Sequence, residues 1–223
     1  MTIIPARGGS KSVPKKNLRV INGRTLIERA ILAALKIPFN EVYVSSDNRE
    51  ILDIALRLGV TAIERSEKNS SDEATSESVI LETLPKISHP SDIITLLQPT
   101  SPFIDIESWA CALADIKANK NIDSIFAAVE KNEFLWEFVN DKWRPVNHNR
   151  TVRLPRQNRP KTVIETGSFY IFRRELFEIE KTRFCGNTSP AITRNWSSFD
   201  IDSIEDFQLC VELGQILDLL SSS

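Results

Sequence analysis

The chain has 223 residues, with 28 Lys and Arg against 30 Asp and Glu, 41% apolar and 26% charged. At about 150 residues per domain this predicts one large domain over 1–223, and the balance excludes disorder, collagen and coiled coil. No apolar run approaches the roughly 18 residues of a membrane span, and Met1 leads into Thr-Ile-Ile-Pro rather than a basic and then apolar leader, so a cytoplasmic protein without a membrane partner is expected.

Residues 2–5 read as a strand. Around and behind it, residues 1–27 carry Arg7, Lys11, Lys15, Lys16, Arg19 and Arg24 and no acid, so this segment is +6 while the total is −2. A charge run is ordinarily a solvated face. Here Gly8 and Gly9, two of only seven glycines, sit inside it directly after the strand. Strand, glycines and cations in that order suit an anion-binding turn, where backbone N–H groups approach phosphate oxygens and lysines neutralise them. Nucleic acid is disfavoured as a partner, because the remainder is acidic and no aromatics interleave with the cations.

Thr25 and Glu28 form a capping box for a helix with an apolar stripe of Leu26, Ile27, Ala30, Ile31, Ala34 and Leu35, stopped by Pro38. A strand at 41–45 precedes a second helix, capped by Asp47 with Glu50 and ending at Gly59. A strand at 61–64, a polar stretch at 65–75 and a helix at 76–84 follow. The continuous apolar run 93–97 predicts a strand buried on both faces. A helix over 105–118 and a strand over 124–129 complete an alternation that predicts an α/β, doubly wound, mostly parallel sheet.

From 131 to 160 the rhythm breaks. Phe134, Trp136, Phe138 and Trp143 alternate with polar residues around an Asn140-Asp141 turn, which predicts a small antiparallel inserted arm. Its arginines 150, 153, 156 and 159 recur at threes, but Pro155 and Pro160 argue against a helix. A strand at 167–172, a helix at 174–180 and a final helix at 203–220, capped by Ser203 and Asp206, follow. Cys111, Cys185 and Cys210 have no metal-ligand spacing and read as reduced structural thiols.

Ligands in such sheets gather beyond the carboxyl ends of the strands. The segments expected there are 4–11 with Pro14-Lys-Lys-Asn17, 96–102, Arg156-Gln157, 167–171 and Phe199-Asp-Ile-Asp202. Together, in this order, they resemble the acylneuraminate cytidylyltransferases, which make CMP-activated sialic acids from CTP on a nucleotide-diphospho-sugar transferase-like fold. The resemblance runs nearly end to end.

It implies that Arg7, Gly8, Ser10, Lys11, Lys16 and Asn17 hold and polarise the CTP phosphates, with Arg7, Lys16 and Asp202 catalytic. Asp200 and Asp202 match a carboxylate pair for Mg²⁺; two apart on a strand end, they would project to one side. Arg65 and the 71–76 loop, including Ser71 and Ser76, are implicated in nucleotide contacts, although a solvated loop has the same composition. Gln98, Thr100, Ser101 and Gly167 match the sugar-site edge, and the Arg156-Gln157 pair suits the carboxylate of an acidic sugar. The family commonly has Asn-Gly where this chain has Thr166-Gly167, and an acid or Gln at Asn158, so the sugar's acyl substituents are where this chain departs. Gly-Gly-Ser-Lys in the first loop argues against the keto-octonate branch.

With His89 in a loop and His148 in the arm, a metal-bound hydroxide or a carboxylate is the expected base. The exposed aromatics of the arm, Phe134, Trp136 and Trp143, predict a homodimer. Two other readings are a nucleotide-sugar-dependent glycosyltransferase, whose Asp-x-Asp usually lies mid-chain, and a non-enzymatic nucleotide-binding module.

Overall fold

The computed structural model describes residues 1–88 and 91–221; His89, Pro90, Ser222 and Ser223 lie outside the described residues. Strand β1 (Thr2–Pro5) runs into the basic loop, which closes on a 3-10 turn at Lys16–Leu18. A hairpin of β2 (Val20–Ile21) and β3 (Arg24–Thr25) follows, turning on Asn22 and Gly23, both at positive φ. This hairpin is absent from the sequence expectation, although Asn-Gly is the dipeptide a two-residue turn demands.

The Thr25 and Glu28 capping box starts α1 (Leu26–Leu35), and its stripe is buried except for Leu35, which is exposed at the last turn. After β4 (Val42–Ser46), helix α2 (Arg49–Arg57) is capped by Asn48, whose side chain accepts from the Ile51 N–H. Asp47 is therefore not the cap; its carboxylate accepts from the Gly8 N–H at 2.8 Å instead. Then come β5 (Thr61–Glu64), α3 (Ser76–Thr83), β6 (Ile93–Leu97), α4 (Ile106–Ala118) and β7 (Ser124–Glu130). The arm holds β8 (Trp136–Val139) and β9 (Lys142–Pro145), paired antiparallel across the Asn140-Asp141 turn as expected. β10 (Val163–Arg173), α5 (Arg174–Glu180), β11 (Thr188–Ile192) and α6 (Ile204–Ser221) end the described chain.

The main sheet has the order β11-β7-β10-β6-β1-β4-β5. All its strands run parallel except β10, which is antiparallel to both β6 and β7. On one face Ile27, Ile31, Ile51, Trp109 and Ile116 from α1, α2 and α4 pack on Ile4, Val44 and Phe169. On the other, Ile80 and Phe177 from α3 and α5 cover Ile3, Ile94 and Phe172. Helices on both faces explain why β6 lacks alternation.

A third cluster joins Val13, Ile21, Leu26, Phe103, Ile201 and Cys210, so that α6 clamps the basic loop against the 200–202 segment. That segment is an extended connector after a 3-10 turn at Asn195–Ser198, not the expected strand end. The three thiols are free, and Cys185 and Cys210 are buried while Cys111 is exposed. Among the described residues no helix is long and apolar enough to cross a membrane.

Candidate active site

The carboxyl ends of β1, β4 and β6 lie side by side, and the loops leaving them build one cleft of about 340 Å³. Arg7, Ser10, Lys16 and Asn17 from the basic loop line it, facing Arg65, Ser76, Gln98, Thr100 and Asp202. Nine residues singled out from sequence therefore converge on one cavity. It is also lined by Ser12, Asp72 and Thr75, which had not been singled out individually.

Lys16 is buried, with its ammonium donating to the Ile201 carbonyl and lying 3.4 Å from Asp202 Oδ1. Its cationic head thus stands where the basic loop meets the aspartate segment. Asn17 donates to the Arg7 carbonyl at 2.9 Å, while its buried Oδ1 has no partner. A buried acceptor left unpaired is costly, so this atom calls for a donor from a ligand or water. Arg65 is also buried, and burial lowers its pKa; its guanidinium donates to Ser45 O at 2.6 Å and Asn69 O at 3.4 Å. Much of its donor capacity thus anchors the 65–75 loop to β4.

The two glycines differ in their roles. A Cβ on Gly8 would lie 2.7 Å from Asn48 Cβ, so the close approach that requires glycine there is to the α2 cap. Around Gly9 a Cβ would meet nothing within 4 Å, which leaves its face open to a ligand. At the cleft mouth Lys11 and Arg7 both bind Asp72, and Arg7 also donates to Ser71 O at 3.4 Å.

Behind Thr100 a second group of the sequence-derived residues assembles. Pairing of β10 with β7 slips between Glu165 and Tyr170, and Gly167 sits in that bulge at φ 74°. A methyl group on Gly167 would lie 3.4 Å from Gln98 Oε1, 3.8 Å from Ser101 Oγ and 4.0 Å from Asp200 Oδ2. Ser101 in turn donates to Asp200 Oδ1 at 3.4 Å. Arg156 and Gln157 are not among the residues lining the cleft; they are exposed, in a 3-10 turn of the arm.

Ile201 is wholly buried and donates its N–H to Thr100 O at 3.0 Å. Burial followed by the negative charge of Asp202 raises the Asp200 pKa, against a hydrogen bond from Thr100 and the charge of Lys16. Two hard-oxygen carboxylates that repel one another suit a divalent cation such as Mg²⁺. Among the described residues no group of three or more His, Cys, Asp and Glu comes together, so a cation held here would draw its remaining ligands from water and substrate oxygens. His148 is packed between the rings of Phe134 and Trp136 in the arm and is not part of the cleft.

The chain has relatives in sequence, and its fold is shared with solved structures. N-acylneuraminate cytidylyltransferase A of Danio rerio is 34% identical over 184 residues, covering 79% of this chain and 42% of that protein. An N-acylneuraminate cytidylyltransferase of Streptococcus agalactiae is 28% identical over 212 residues, covering 92% and 51%. The chain thus spans about half, or less, of the length of these curated relatives. A CMP:2-keto-3-deoxy-manno-octonic acid synthetase complexed with CTP has the same fold, with a TM-score of 0.73 and 18% identity over 95% of this chain and 96% of that one. A 4-diphosphocytidyl-2C-methyl-D-erythritol synthase from Anaerococcus prevotii gives 0.66 at 15% identity, covering 96% and 95%. The family model for cytidylyltransferases matches residues 1–222, and the chain belongs to that family.

Proposed function

We propose that this chain is a CTP-dependent cytidylyltransferase that activates a nine-carbon 2-keto acid sugar of the sialic, legionaminic or pseudaminic type. The anomeric hydroxyl oxygen attacks the α-phosphorus of CTP. A P–O bond forms to the sugar, the bond to the β-phosphate oxygen breaks, and its electron pair leaves with pyrophosphate. The single observation that carries this reading is the convergence of Arg7, Lys16, Asn17 and Asp202 on one cleft. Arg7 and Lys16 supply fixed positive charge to the phosphoryl oxygens, where negative charge grows in the transition state. Asn17 Oδ1 offers the acceptor, and the Gln98, Ser101 and Gly167 edge orients the acceptor sugar. The hydroxyl proton passes to a carboxylate of the site or to hydroxide. Mg²⁺, when bound by Asp200 and Asp202, would neutralise phosphate charge and align the α-phosphate for attack.

The arm is proposed to pair with a second copy and to bring Arg156 and Gln157 toward its partner's sugar site. Trp143 at 64% exposure, Val152 at 59% and Phe138 at 57% leave apolar surface that a dimer would cover. Phe134 does not add to that surface, because Arg153 and Arg159 lie over its ring.

The test is pyrophosphate release from CTP with a panel of nine-carbon acidic sugars, alongside light scattering at micromolar concentration. CMP-sugar formed with one of the panel supports the reading. Release of free nucleotide from a nucleotide sugar would instead favour a glycosyltransferase, and CTP binding without turnover a binding module. A stable monomer removes the dimer.

A further inference from the structure

The basic loop is already gripped by acids of its own chain. Arg7 Nη1 lies 2.6 Å from Asp72 Oδ1, and Lys11 Nζ lies 2.5 Å from Asp72 Oδ2. Each carboxylate oxygen takes a different cation, as two oxygens of a phosphate group would. Hydrogen bonds from Lys11 and then Arg7 hold the Asp72 carboxyl below its ordinary range, so it is ionised at neutral pH. All three side chains are open to water, at 35% exposure for Arg7, 86% for Lys11 and 42% for Asp72. Such pairs exchange readily and are individually weak.

The segment carrying Asp72 is anchored mainly on its N-terminal side. Arg65 donates to Ser45, and Ser66 and Asn69 donate to Glu82. Beyond Ser70 the chain is a turn and coil until Thr75 caps α3. Asp72 can therefore leave the cations while the base of the loop stays in place.

We infer that Asp72 is an internal stand-in for the nucleotide's phosphates: it holds Arg7 and Lys11 until a triphosphate displaces it, and so sets the affinity of the cleft for polyanions. The inference rests on the CTP reading above. It deepens that reading by naming a residue that opposes binding rather than making it.

The test compares wild type with Asp72→Asn and Glu73→Gln by calorimetric titration with CTP and with inorganic tripolyphosphate. Glu73 is an exposed neighbour of the same charge that makes no ion pair among the described residues. Asp72→Asn is expected to bind both ligands about three- to fivefold more tightly at low ionic strength, with the gain shrinking near roughly 1 M salt. Glu73→Gln should change affinity less than twofold, on the order expected of an unpaired surface charge. Equal or weaker binding by Asp72→Asn, or an equal gain in Glu73→Gln, overturns the inference. Failure of the wild type to bind CTP at all would instead remove the CTP reading.

Discussion

Lys16 Nζ stands 3.4 Å from Asp202 Oδ1, although the two lie 186 positions apart in sequence. The contact closes the cleft at the junction of its first and last chain segments. The same ammonium donates to the Ile201 carbonyl, so the lysine is fixed by backbone as well as by charge.

Lys16→Met keeps the aliphatic stem and removes the charge. The expected loss is about 10²- to 10³-fold in kcat/KM for pyrophosphate release, the scale of removing one preplaced transition-state donor. Circular dichroism and thermal unfolding should show a folded variant, and a loss under tenfold would take Lys16 out of the chemistry.

Ile201 is the pin between two carboxylates. Its side chain packs with Val13 and Phe103 while Asp200 and Asp202 flank it. Ile201→Ala is expected to cost about 2–5 kcal/mol in urea unfolding through the cavity it leaves. Turnover should fall as well, because the aspartates lose their backbone reference. Ile201→Val, a smaller loss, should retain most of both.

The 65–75 loop should be acid-sensitive through Glu82. Burial would raise this carboxyl, but hydrogen bonds from Asn69, Ser66 and Lys86 outweigh it and hold the pKa at about 2. An unfolded glutamate titrates near about 4.3, so the stabilisation is complete above that value and is lost as pH falls toward the folded pKa. Glu82→Gln should be less stable by about 1–3 kcal/mol at neutral pH, with the gap to wild type closing as the pH falls to 2. Urea midpoints of both proteins across that window give the answer, and parallel curves would contradict the assignment.

Gly167 tests the sugar edge. At φ 74° an L side chain is strained, and its methyl would meet Gln98 Oε1 at 3.4 Å. Gly167→Ala is expected to cost about 1–2 kcal/mol of stability. It should raise KM for the acidic sugar more than KM for CTP; the reverse pattern in steady-state kinetics would move Gly167 out of the sugar edge.

Local signals carried most of the fold. The capping box of α1, the apolar run of β6 and the Asn140-Asp141 turn each act within a few residues, and each appears where its pattern places it. β11 escaped because Thr-Ser-Pro-Ala-Ile carries a proline and lies at the sheet edge, where half its backbone needs no partner. Asp47 and Asn48 both suit a helix cap, and only the approach of Gly8 decides between them. In the cleft, cations were legible as a cluster because they crowd into one segment. Asp72 was not, since one acid among several in a serine-rich stretch does not stand out until folding brings it against Arg7 and Lys11.

The reversed course of β10 has a consequence for how the molecule can diversify. Because it runs against its neighbours, the strand starts at the rim where β7 ends, and residues 131–162 hang between those two points. Insertions, deletions or wholesale replacement there leave every buried layer untouched. The arm can therefore vary in length and sequence while the cleft at the carboxyl ends of β1, β4 and β6 keeps its shape.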